Sequence, residues 1–381
     1  MASIRRRTLP SGKTVWQADY RDAAGNRRHK QFRKKGEADA FLVTVRSQLA
    51  AGTHTPDSAS ITVEEAAGLW LERCRRDMLE ATTIRQYRAH VNLHIVPRIG
   101  ATKLSRLTTP AVNAFADQLL RDGRSRDMAN RVLRSLSAVV AEAKRKGLVA
   151  ANNVRDATPI KKGRRGESRP EMPTRDELKA IIRATDDQNR PLILTAIFTG
   201  LRASELRGLK WEDVDLKAGV LHVCRRVDRF NQFGPPKSAA GTRDIPLTPT
   251  LLKTLKEWRL ACPKGELGLV FPTGAGNVES HGNILARLFW PLQIRAWVVN
   301  MIDGKDEEGK AIKVPDAKYS LHALRHAAAA LWIEQGLSPK RIQTLMGHAS
   351  IQQTFDTYGY LLEARDDDKA AMAAVEIGLL T

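Results

Sequence analysis

Residues 199 to 206 read Thr199-Gly-Leu-Arg-Ala-Ser-Glu-Leu206. They end an apolar helical run, Leu192 to Phe198, on Gly200 and start a new helix with Arg202 at its N-terminus. An arginine there is electrostatically odd, because a helix N-terminus already carries partial positive charge. An anion held between the two would resolve the oddity, and phosphate fits. Taken alone, Arg202 is equally compatible with a plain surface arginine.

Three segments downstream add to it. Strands are expected around Val220 to Val227 and Thr242 to Leu247, within a strand group spanning Val214 to Pro246, and the connection between them carries Lys237. A hairpin tip can bring an ammonium to a neighbouring groove, although most loop lysines do nothing. The segment His322-Ala-Leu-Arg-His326 puts His322 and Arg325 on one helical face. A metal site would favour a second His or a carboxylate, whereas a guanidinium fork suits phosphate oxygens. Finally, Leu345-Met-Gly-His-Ala-Ser350 presents His348 after a helix-ending glycine, and Thr354-Phe-Asp-Thr-Tyr-Gly-Tyr360 presents Tyr358 ten residues later.

None of these segments is decisive alone. As an ordered set they resemble the tyrosine recombinase, or phage integrase, family. Its signature is Arg, a hairpin Lys, H-x-x-R, a His or Trp after L-G, and a terminal nucleophilic Tyr. Every position is filled, with Met346 between the Leu and the Gly, and the stretch KSAAGTRDIPL from Lys237 to Leu247 follows the family's hairpin wording. Departures are Ala327, where relatives often carry Thr, and Tyr360, where many have His. Tyr358 is chosen over Tyr360 because T-Y-G places it.

The resemblance implies a catalytic set of Arg202, Lys237, His322, Arg325, His348 and Tyr358. Arg202 and Arg325 would clamp the scissile phosphate, Lys237 would protonate the leaving 5′ oxygen, His322 would be the acid/base partner of Tyr358, and His348 would hydrogen-bond the phosphate. The product is a 3′-phosphotyrosine that keeps the bond energy, so no cofactor, ATP or metal is expected. Strand exchange between two duplexes implies a homotetramer on double-stranded DNA. Accessory DNA-bending or directionality proteins are also expected, and a last helix, about 366 to 380, would pack on a neighbouring protomer or cap its own. Two rival readings are a type IB topoisomerase, which shares the chemistry without partner exchange, and a silent DNA-binding protein, which would lack a member of the set.

The rest of the chain agrees with a polyanionic partner. Its 381 residues carry a formal net charge of +20, and such an excess needs a partner such as nucleic acid. No apolar run approaches the roughly 20 residues needed to cross a bilayer. The start, MASIRRRTLP, lacks the apolar stretch of a signal peptide, so an unexported, cytoplasmic protein is expected. Cys74, Cys224 and Cys262 are widely spaced and form no zinc pattern.

Residues 1 to 50 hold 12 Lys or Arg against 4 Asp or Glu, 12 − 4 = +8. They read as a hairpin or three-stranded sheet (Thr14 to Tyr20, Arg27 to Phe32) followed by a helix, about 36 to 49. Residues 61 to 157 read as helical, with breaks at Pro97, Gly100, Pro110 and Gly123, and carry 17 − 10 = +7. The fold class expected is multidomain and mainly α with small β-sheets. It divides into an arm-binding α+β domain (1–55), an all-α core-binding domain (61–157), a basic linker (158–170) and a mixed α/β catalytic domain (171–381), the last with helices resuming from the strand group to the end.

Overall fold

The computed structural model describes residues 2–52, 54–58, 60–157, 160, 170–305 and 309–363. The fold is multidomain and mainly helical with small sheets, and its contacts separate into two units, residues 1–166 and 167–381.

The first unit opens with an antiparallel meander of β1 (Ser3–Thr8), β2 (Thr14–Arg21) and β3 (Arg27–Phe32). Helix α1 (Lys35–Ala50) lies on it, and Ala18, Tyr20, Ala38, Leu42 and Val45 form the small core between. The opposite edge keeps Arg5, Arg6 and Arg7 of β1 exposed.

A helical bundle follows, with α2 (Val63–Arg76), α3 (Ala81–His90), α4 (Val96–Ile99), α5 (Thr109–Arg121) and α6 (Arg126–Arg145). Thr62 and Glu65 close a capping box at the start of α2. Val63, Trp70, Ile95, Phe115, Leu119, Val132 and Leu136 fill the core. The expected break at Pro97 does not occur, because a π turn, Val91–Ile95, sits between α3 and α4. There the Val96 N–H reaches back to the Val91 carbonyl, and the widened turn accommodates a residue that lacks its own N–H.

The second unit is built around α8 (Arg190–Thr199), which follows α7 (Arg175–Ala184). Pro191 through Ile197 are all buried, so α8 is apolar all round, as a helix enclosed by its neighbours must be. After α9 (Ala203–Gly208) come β4 (Val214–Asp215), β5 (Val220–Val223), a two-stranded ribbon of β6 (Arg226–Val227) and β7 (Phe233–Gly234), and β8 (Arg243–Pro246). Strands β4, β5 and β8 form one antiparallel sheet.

Then follow α10 (Pro249–Ala261), α11 (His281–Asn283) and α12 (Trp290–Arg295). The uninterrupted helices expected from here to the end do not form. In place of continuous helix there is a hairpin, β9 (Val299–Lys305) with β10 (Ala311–Ala317), in a register that pairs Val299 with Ala317. Its strands are exposed on most positions and so lack the strict apolar alternation of a half-buried strand. The chain ends its described part with α13 (His322–Glu334), α14 (Pro339–Met346) and α15 (Ile351–Glu363). Among the described residues no helix is long and apolar enough to cross a membrane. The expected last helix, 366 to 380, lies outside the described residues, as does nearly all of the linker 158 to 170.

Candidate active site

Two helix ends build the site. Helix α8 stops at Gly200 and α14 at Gly347, both left-handed with φ of 59° and 62°, a conformation that favours glycine. The last carbonyls of a helix have no partner within it and carry its negative pole. Arg325, on α13, donates to the Gly200 carbonyl at 2.5 Å and to the Met346 carbonyl. Arg202 donates to the Gly347 carbonyl at 2.9 Å. Both guanidiniums are thus moored to helix C-termini by groups that otherwise go unsatisfied.

Close approach makes the two glycines necessary as well. A Cβ on Gly347 would lie 2.9 Å from Arg243 Nη1 and 3.0 Å from the Ala240 carbonyl oxygen. One on Gly200 would meet Ala328 and Trp332 at 3.2 Å.

The electrostatic oddity of Arg202 is resolved within the chain. Arg202 Nη1 donates to Glu205 at 2.8 Å, and its backbone N–H donates to the same carboxylate at 3.0 Å. Glu205 also takes a hydrogen bond from Nη2 of Arg243 at 2.9 Å. Arg243 reaches the Leu345 and Gly241 carbonyls besides. Burial would raise the Glu205 carboxyl, but Arg243 and Arg202 overcome it and hold it below the usual carboxylate range. Three guanidiniums face one carboxylate, 3 − 1 = +2, and two of the three, Arg243 and Arg325, are buried. Burial, with Arg202 adding to it, brings Arg325 down to about 9, so it is still charged at neutral pH.

Tyr358 lies beside this charge. It is 1% exposed, and burial pushes its phenol up to about 12, against the opposing pull of Arg325. Its hydroxyl donates to Nδ1 of His326 at 2.8 Å, in the tautomer that leaves that nitrogen free. The His348 ring stacks parallel to the phenol with centroids 6.4 Å apart, and its Nδ1 pairs with the buried Thr354 hydroxyl at 2.9 Å. Burial first, then Arg325 and the other cations, brings His348 down to about 4. His322 is exposed at the start of α13, edge-on to His326 with ring centroids 4.8 Å apart. Loss of water around its ring, with His326 and the arginines adding, brings it to about 4 as well. Both imidazoles are therefore neutral at pH 7 and able to donate or accept a hydrogen bond.

Of the six residues read from the sequence, Arg202, Arg325, His348 and Tyr358 come together around Gly200 and Met346–His348, and His322 joins them through His326. The pairing of His322 with Tyr358 is not what the geometry has. The imidazole on the phenol belongs to His326, one helical turn further along, because that position of α13 faces α15. Lys237 is exposed between β7 and β8, and among the described residues no hydrogen bond or ion pair ties it to the others. Its loop continues into Ala239–Gly241, which packs against Gly347.

Three participants were not singled out from the sequence. Glu205 stands three residues after Arg202, the spacing of a helix-opening acid. Arg243 sits in the KSAAGTRDIPL stretch at a strand position that alternation turns inward. His326 closes the quoted HALRH segment. Each was visible in letters, but only the fold pairs it.

Comparison with known proteins finds relatives along most of the chain. The family model described as "Phage integrase family" matches residues 172–365, and "Phage integrase central domain" matches residues 63–159. The putative prophage phiRv2 integrase of Mycobacterium tuberculosis is 26% identical over 381 residues, covering 97% of this chain and 94% of that protein. Prophage integrase IntR of Escherichia coli is 27% identical over 227 residues, covering 56% of this chain and 53%, about half, of IntR. The fold resembles that of a lambda integrase tetramer bound to a Holliday junction, with a TM-score of 0.57 and 21% identity over 91% of this chain and 96% of that one. The chain belongs to the phage integrase family of tyrosine-type site-specific recombinases.

Proposed function

We propose that Tyr358 is the nucleophile with which this recombinase cuts DNA. Its oxygen attacks the scissile phosphate, forms a 3′-phosphotyrosine and releases a 5′ hydroxyl. Arg202 and Arg325 hold the non-bridging oxygens, and His322 and His348 add hydrogen bonds. Lys237 swings in from its exposed loop to protonate the leaving oxygen. One observation carries the reading: a buried phenol beside three guanidiniums that have a single carboxylate among them. Excess charge of that kind in a protein interior calls for an anion, and a phosphate in transfer supplies negative charge that grows toward the transition state.

The remaining assignments follow from that chemistry. The basic sheet of residues 1–55 binds arm-type DNA sites, the helices of 61–157 bind the core site, 158–170 link them to the catalytic domain 171–381, and four protomers assemble on DNA, lambda integrase having been solved as a tetramer bound to a Holliday junction. The reaction integrates or excises a mobile element in the cytoplasm, assisted by DNA-bending or directionality proteins.

The test is incubation with nicked duplexes bearing candidate attachment sites. A covalent protein–DNA band is expected, as is transfer of the held strand to a second duplex. Release of the strand only to its original partner, with relaxation of supercoils, would indicate a topoisomerase instead.

A further inference from the structure

We propose that His326 accepts the proton of Tyr358 as the phenol attacks the phosphate, an inference that rests on the reading of Tyr358 as nucleophile. The hydroxyl makes one hydrogen bond among the described residues, to His326 Nδ1 at 2.8 Å, within the reach required of a general base. Tyr358 is 1% exposed, so its proton has no direct path to bulk water and leaves through the contact that already holds it. His322 makes no hydrogen bond to the phenol among the described residues and lies at the exposed start of α13.

The ring planes of His326 and Tyr358 meet at 60° with centroids 5.8 Å apart. This edge-on packing aims the phenol at the nitrogen and does not stack it across the imidazole face. Helices α13 and α15 carry the two residues, so the contact is made by rigid elements. Burial, and then Arg325, keeps His326 below its ordinary pKa and hence neutral, with Nδ1 able to accept at neutral pH.

The step balances. The Tyr358 oxygen bonds to phosphorus as the bond from phosphorus to the 5′ oxygen breaks. The phenolic proton passes to Nδ1, giving an imidazolium, while the 5′ oxygen takes a proton from the general acid, proposed above as Lys237. Rejoining reverses both transfers, so no external reagent is consumed.

Single-turnover cleavage of a nicked attachment-site duplex, with protein saturating, tests this. Loss of a general base typically slows a reaction by about 10²- to 10⁴-fold. His326→Ala is expected to fall at least about 100-fold, and added imidazole is expected to restore much of the loss. His326→Asn keeps an acceptor near the Nδ1 position without its basicity, and is expected to stay as slow. DNA affinity and the thermal midpoint serve as checks of folding, and should His326→Ala fail them, His326→Asn decides. Wild-type rates in His326→Asn would overturn the proposal, since an acceptor alone would then suffice. A slow, folded His326→Ala that imidazole cannot rescue would overturn it too. Failure of the underlying reading looks different: the wild-type protein would form no adduct, or Tyr358→Phe would keep it.

Discussion

Replacing Glu205 by Gln removes the carboxylate that, among the described residues, pairs with Arg202 and Arg243. The Arg243 pair is buried on both sides, with side-chain exposures of 2% and 3%, whereas Arg202 is one-third exposed at 33% and its pair counts for less. Breaking a buried pair by removing one partner costs about 3–5 kcal/mol, because the remaining charge stays desolvated. A unit of this size shifts its midpoint by roughly 2–4 °C per kcal/mol, so the thermal midpoint of Glu205→Gln should fall by about 10 °C. Differential scanning calorimetry of the variant, of Arg243→Met and of the double variant measures it. The two changes together should cost less than the sum of the singles by at least about 1 kcal/mol, the mark of direct coupling. A midpoint within 2 °C of wild type, or strict additivity, would refute the claim that Glu205 is the internal counter-ion of the site.

Three further outcomes follow from the same geometry. Arg202→Ala should slow adduct formation by orders of magnitude with little change in DNA affinity, since a chain of net charge +20 has many other cations available to the backbone; gel shift and single-turnover assays read the two separately. Gly347→Ala forces a Cβ against Arg243 and Ala240 at left-handed φ, which alone costs about 1–2 kcal/mol. Both the melting midpoint and the cleavage rate should drop, and an unchanged rate would show that the Gly347 carbonyl does not position Arg202. For His348 the folded pKa of about 4 is below the ordinary value near 6.5, so the unfolded chain binds the proton first. Its contribution is fully present above pH 6.5 and is lost as pH falls toward 4, about 2 kcal/mol of it by pH 5. The loss of stability between pH 7 and 5 should shrink in His348→Gln.

What the letters revealed, and what they hid, has a physical pattern. Gly200 and Gly347 punctuate helices by local chemistry, so the segments carrying Arg202 and His348 could be placed from sequence. Pro97 misled because the π turn Val91–Ile95 just before it absorbs its missing N–H. The β9–β10 hairpin was missed because its exposed strands have no buried face to impose alternation. Within the site, the residue types were legible through their order, but their partners were not. The pairings of Glu205 with Arg243, 38 positions apart, and of His326 with Tyr358, 32 positions apart, depend on tertiary contacts. The sequence reading therefore paired Tyr358 with His322, whereas the hydrogen bond from the phenol runs to His326, one turn along.

One phenol is expected to become covalently joined to DNA. Trapping the adduct on a nicked duplex, digesting it with nuclease and protease, and sequencing the peptide from α15 by mass spectrometry tests it most directly. A nucleotide remnant is expected on Tyr358, bound through a 3′ phosphate. A remnant on Tyr360, a 5′ linkage, or no DNA-bearing peptide at all would contradict it.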